Sequence, residues 1–180
     1  AAHPKLGADD QYRHEFHEAL YKDFKKPFAE TDLTELYPVL GEIRHAKSNL
    51  RNWMRPVSVD NPFTFAGTKN SVIRTGKGTC LIISPWNYPV SLTFLPMISA
   101  IAAGNTAIIK PSELTPHTSA LMKKLIAELF PEEEMTLIEG DKDVSTKLLE
   151  LPFDHILFTG SVPVGKIVMQ AAAKNLTSVT

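Results

Sequence analysis

Through the stretch Gln11 to Phe24, apolar residues recur at every fourth position: Tyr12, Phe16, Leu20 and Phe24 share one face, with charged residues between them. That spacing predicts an amphipathic helix ending before Pro27, which cannot donate to a continuing helix. A second stripe, Leu36, Leu40, Ile43, Leu50 and Trp53, predicts a buried helix face down to Arg55-Pro56, with Asp32 and Glu35 as a capping pair at its start. From Val57 to Thr79 the texture changes to short β-branched and aromatic runs cut by Asn-Pro, Ala-Gly and Gly-Lys-Gly signals, the pattern of extended antiparallel strands.

Beyond Thr79, unbroken apolar runs alternate with helical periodicity. "TCLIIS", "TAIIK", "MTLIEG" and "HILFTG" predict short strands, the first two buried on both faces. Pro89 predicts the start of a helix kinked at Pro96. Thr115-Pro116 predicts a hydroxyl cap and first-turn proline for a helix whose apolar face is Leu121, Met122, Leu125, Ile126 and Leu129. Strand and helix in alternation imply parallel pairing with right-handed crossovers, hence a doubly wound α/β sheet whose ligands bind beyond the carboxyl ends of its strands.

Composition narrows the picture. With 180 residues and 43% hydrophobic content, the chain can bury a real core and amounts to one domain or a large part of one. Its 19 basic and 20 acidic residues form no extended block of one sign, so no electrostatic footprint for nucleic acid or anionic lipid is present. The run "PEEEM" reads as a solvated loop. No stretch approaches the ~18 apolar residues of a membrane span, and the start, "AAHPKLGADD", lacks both Met and a signal layout, so a processed or artificial end is expected. A single cysteine, Cys80, excludes an internal disulfide and fits a reducing, cytoplasmic setting. It opens a buried strand and reads as core.

The chemistry gathers at three predicted strand-to-helix turns. In "PWNYP" the Asn87 amide can stabilise a developing oxyanion; equally, Asn87 can serve only to allow a tight turn while Trp86 and Tyr88 fill core. In "KPSE", Lys110 and Glu113 can donate to and accept from a ribose hydroxyl pair, or be ordinary solvated side chains. In "HILFTGSVPVGKI", Gly160 allows a sharp turn, and the N–H groups of Ser161 and its neighbours offer an anion site at a helix start. Gly160, Gly165 and Lys166 also mimic a P-loop, but Ile167 stands where a Mg²⁺-binding hydroxyl belongs. No GxGxxG occurs. His14 and His17 lie three apart, one short of HExxH, and read as solvated residues with no metal between them.

Together, "PWNYP", "AIAAGNTAIIKPSE" and "FTGSVPVGKIVMQAAAKNLTSVT", in this order and spacing, resemble the aldehyde dehydrogenase superfamily, with wording nearest its class 3 branch. The resemblance runs from about the second helix to the last residue. It implies a Rossmann-like NAD-binding fold, incomplete here, with residues 1–56 as amino-terminal helices, 57–79 as oligomerisation strands and 80–180 as the cofactor domain. It also implies NAD, with NADP possible, an aldehyde substrate, a homo-oligomer, and no nucleic acid or membrane partner. Asn87 corresponds to the oxyanion donor. Ser84, Pro85, Trp86, Lys110, Ser112, Glu113, Gly140, Gly160, Ser161 and Gly165 correspond to cofactor contacts, with Lys110 and Glu113 at the adenosine ribose and Ser161 by the pyrophosphate; the P-loop likeness is then coincidental. Glu113 leans toward NAD, because a carboxylate repels a 2′-phosphate. The family's general-base glutamate and nucleophilic cysteine fall after the final "LTSVT", and Cys80 does not align with that nucleophile. An amino-terminal portion that is inert by itself and prone to self-association is therefore expected.

Overall fold

A computed structural model describes residues 10–180; the opening segment before Asp10 lies outside them. Helix α1 (Asp10–Phe24) forms as its four-residue spacing predicts, with Phe16 and Leu20 in the core. The chain then turns through Lys25, whose φ of 61° is left-handed, and enters α2 (Phe28–Thr31), a π-helical turn (Asp32–Leu36) and α3 (Tyr37–Trp53) without a break. The wider π turn shifts the phase of the stripe. Val39 and Ala46 are the buried residues of α3, Ile43 is partly buried, and Trp53 is exposed. Asp32 and Glu35 therefore cap nothing here, because the helix has already begun upstream of them.

Strands β1 (Val57–Val59) and β2 (Asn70–Val72) pair antiparallel as a hairpin whose strand residues are all exposed. The remainder is a parallel five-stranded sheet of β3 (Thr79–Ile83), β4 (Thr106–Lys110), β5 (Met135–Leu137), β6 (His155–Phe158) and β7 (Ser178–Val179), in spatial order β5-β4-β3-β6-β7. Helices α4 (Ser91–Ala102), α5 (Pro116–Leu129), α6 (Lys142–Leu148) and α7 (Val162–Ala173) follow β3 to β6 in turn. This is the doubly wound, Rossmann-like layout.

The period of two along a strand sorts the core. Cys80 and Ile82 of β3, with Ala107 and Ile109 of β4, join Phe16, Leu20, Phe94, Met122 and Leu125 on one face. Leu81 and Ile156 meet Val168 and Ala172 of α7 on the other. Burial also raises the pKa of the Cys80 thiol, with the negative charge of Asp154 adding to the effect, so it is a small core residue as expected. Helix α4 starts at Ser91 rather than at Pro89 and remains helical through Pro96.

Two histidine and lysine expectations need correction. His17 is buried, stacked on Phe28 at 4.6 Å between ring centres and bonded to Asp32 at 2.8 Å; only His14 is solvated. Lys110 is 2% exposed, and so is not an ordinary surface lysine.

Candidate active site at the carboxyl edge of the sheet

Strand order reverses between β3 and β6, and such a crevice is where open α/β sheets bind ligands. Ile83 is level with Lys110 on one side and Phe158 on the other. The three chemistry-bearing turns therefore leave three adjacent strands at one rim, and Asn87, Glu113 and Ser161 share that edge. Gly140, in the loop after β5, lies farther along it.

The turn after β3 starts at Ser84, which is buried; its hydroxyl bonds that of Thr93 at 2.6 Å, and its N–H donates to the Lys110 carbonyl at 3.2 Å. Pro85 leads outward. Trp86 is 51% exposed and Tyr88 is 37% exposed, so neither is the core filler that a purely structural turn would require. Asn87 is exposed, and its carboxamide makes no hydrogen bond among the described residues. Its backbone is held from below: Lys26 Nζ donates to the Asn87 carbonyl at 3.1 Å.

After β4, the Lys110 ammonium donates to the Pro111 carbonyl at 2.7 Å and pairs with the Glu113 carboxylate at 3.5 Å. Two partners leave one of its three donors for a ligand hydroxyl. Glu113 is about half exposed, and the Ser112 hydroxyl accepts from the Leu114 N–H, which tightens the turn.

After β6, Gly160 packs under the Phe158 ring. A β-carbon there would come within 2.5 Å of that ring. Gly165 lies inside α7, its N–H bonded to the Ser161 carbonyl at 2.9 Å, and is followed by exposed Lys166. Val162 to Val164, between the two glycines, are already helical and so cannot wrap a triphosphate as the loop of a P-loop does. At Gly140 the backbone has φ +153° and a β-carbon would meet Val144 at 2.4 Å, so glycine is required there by packing on α6.

Helix starts show the sharpest contrast. The first amides of α4, at Val90 and Ser91, donate to Glu35. Those of α5, at His117 and Thr118, donate to Asp23 rather than to the expected Thr115 hydroxyl. Those of α6 donate to Asp141. In α7 the N–H groups of Ser161, Val162 and Val164 find no acceptor among the described residues. Three positive helix ends are already neutralised by carboxylates, and the fourth, beside the crevice, is open to an anion.

These features could receive a dinucleotide: an open helix start for its pyrophosphate and a Lys–Glu pair for its ribose. The Aldehyde dehydrogenase family model matches residues 9–180. The chain belongs to that family. It is 47% identical over 169 residues to 4,4'-diaponeurosporen-aldehyde dehydrogenase of Staphylococcus aureus, covering 94% of this chain and 37% of the relative. It is 39% identical to aldehyde dehydrogenase family 3 member B2 of Mus musculus, covering 91% of this chain and 34% of that one. Among solved structures, the substrate-bound state of Staphylococcus aureus AldH superposes with a TM-score of 0.94 at 46% identity, over 97% of this chain and 38% of that chain. PnpE from Pseudomonas sp. WBC-3, in complex with nicotinamide adenine dinucleotide, gives a TM-score of 0.83 at 26% identity, over 94% of this chain and 35% of that one. The chain thus spans little more than a third of the length of these relatives, and the only cysteine in it is buried Cys80.

Sequence inspection missed Lys26, Glu35 and Asp23, which hold two of the turns. A signal existed for Glu35: it falls on the row Thr31, Glu35, Val39, where a carboxylate on a buried helix face calls for a partner.

Proposed function

We propose that this aldehyde dehydrogenase chain forms the cofactor-binding part of an enzyme that oxidises an aldehyde to a carboxylic acid, using a cysteine thiol from outside these 180 residues. The observation that carries this is the open start of α7 at the same rim as the exposed Asn87 carboxamide and the buried Lys110. Bound NAD, or NADP, supplies the hydride acceptor. Ser161 and its neighbouring amides bind the pyrophosphate, with Gly160 and Gly165 shaping the turn and its helix. Lys110 and Glu113 hold the adenosine ribose, the Glu113 carboxylate favouring NAD over its 2′-phosphorylated form. Ser84, Pro85, Trp86, Ser112 and Gly140 line the approach. Asn87 donates its amide N–H to the aldehyde oxygen as negative charge develops there.

In the same reading, residues 1–56 and 80–180 belong to the cofactor domain, the β1–β2 hairpin in residues 57–79 joins copies in a homo-oligomer, and the buried free thiol accords with a cytoplasmic setting. No helix among the described residues is long and apolar enough to cross a membrane. The test is an equilibrium titration with NAD followed by protein fluorescence. NAD should bind, Glu113→Ala should weaken binding several-fold, and Lys166→Ala should leave it unchanged; binding that is indifferent to Glu113 would reject the assignment.

A further inference from the structure

Lys26 and Glu35 form an ion pair at 2.6 Å in which the side chains are 3% and 0% exposed. An apolar pair of equal volume would fill the same space without desolvating two charges. The pair's other hydrogen bonds all converge on one turn, although Lys26 also lies over the Phe24 ring at 5.2 Å. Glu35 Oε2 accepts from the N–H groups of Val90 at 3.1 Å and Ser91 at 2.8 Å, while Lys26 Nζ donates to the Asn87 carbonyl and lies 4.2 Å from the centre of the Tyr88 ring. Asn87, Tyr88, Val90 and Ser91 are thereby held by two side chains more than fifty positions upstream.

Two local irregularities bring the pair there. Lys25 adopts φ 61°, costly for a residue with a β-carbon, at the point where the chain leaves α1 and Lys26 turns inward. Glu35 lies in the π-helical turn Asp32–Leu36, a form found mostly as single-turn bulges inside α-helices and frequently at functional sites. The Asn87 carboxamide has no side-chain partner of its own among the described residues, so its placement follows from its backbone, and its backbone from the pair.

We infer that Lys26 and Glu35 are positioning residues for Asn87, fixing the turn so that its amide meets the substrate oxygen. This rests on the proposed aldehyde oxidation. Displacement of such a group by about 1 Å can cost up to about a hundredfold in rate. The experiment is steady-state kinetics and NAD titration on an enzyme of the relatives' length that carries these residues. Lys26→Met should lower kcat by about tenfold or more with NAD affinity at the wild-type value, and Lys26→Arg should recover part of the loss. Because Lys26 acts through Asn87, the Asn87→Ala/Lys26→Met double variant should be no slower than Asn87→Ala alone. If Lys26→Met does not fold, Lys26→Met/Glu35→Gln removes both buried charges and should show the same kcat loss. Wild-type kcat in folded Lys26→Met, or a loss that adds to that of Asn87→Ala, would overturn the positioning role while leaving aldehyde oxidation intact. An Asn87→Ala enzyme at the wild-type rate would overturn the oxyanion role of Asn87, and the positioning role with it, whereas a wild-type enzyme that oxidises no aldehyde with NAD would overturn the proposed function itself.

Discussion

The turn after β3, residues 84–90, and the turn after β6, residues 159–161, leave neighbouring strands at the same height, yet they are built in opposite ways. In the first, a buried carboxylate from the α2–α3 region occupies the helix-start amides, and a buried ammonium grips the Asn87 carbonyl. In the second, no carboxylate among the described residues reaches the amides, and the chain bends over a glycine with an aromatic ring beneath it. A helix start with its own carboxylate is rigid and repels another anion, whereas one left open attracts a phosphate. One kind of element thus serves two purposes: holding a carboxamide still, and receiving a charged ligand.

Breaking the clamp should have the largest effect. Glu35→Ala leaves the Lys26 ammonium buried without its counterion and two amides without acceptors, so unfolding stability should fall by about 3–5 kcal/mol. Ser161→Ala, at the open turn, should stay within about 0.5 kcal/mol of wild type. Urea titration of both variants measures the difference directly, and similar losses at the two sites would erase the contrast.

Asp23→Ala removes the carboxylate that serves His117, Thr118 and the Thr118 hydroxyl at the start of α5. A loss of about 1–2 kcal/mol is expected, readable in the same titration. Gly160→Ala should cost about 1–3 kcal/mol in the same titration, because a β-carbon there would stand 2.5 Å from the Phe158 ring and force it to shift.

The last effect concerns pH. The Arg13 guanidinium and His17 hold the Asp32 carboxyl down to about 2 from an ordinary 3.8. A carboxyl depressed in the folded state contributes stability above its unfolded pKa and loses it as pH falls through the folded one. Acid titration should therefore show wild-type stability falling between about pH 4 and pH 2, with Asp32→Asn less stable at neutral pH and flatter across that window.

How much of this was legible depended on the distance between partners. The α1 stripe, the hairpin and the four main strands follow from periodicity and turn residues within ten or so positions. So does the placement of Asn87, Lys110, Glu113 and Ser161 at strand ends. Glu35 looked like a local cap because its nearest sequence context is a helix start; its real acceptor role joins it to Val90 and Ser91, which no local pattern reveals. Thr115 looked like a cap for the same reason, and Asp23 supplies that function from α1. Lys110 reads as a surface residue in any short window, yet the sheet and the turn enclose it.

The amino-acid order by itself determined which segments are helix or strand and which residue types stand at the strand ends, because backbone geometry repeats every two or 3.6 residues and a turn needs only a few neighbours. The folded chain decided that α4 and α5 are neutralised and α7 stays open, since Glu35 and Asp23 find their amides through space, across more than fifty residues of sequence, only after the helices have packed on the sheet.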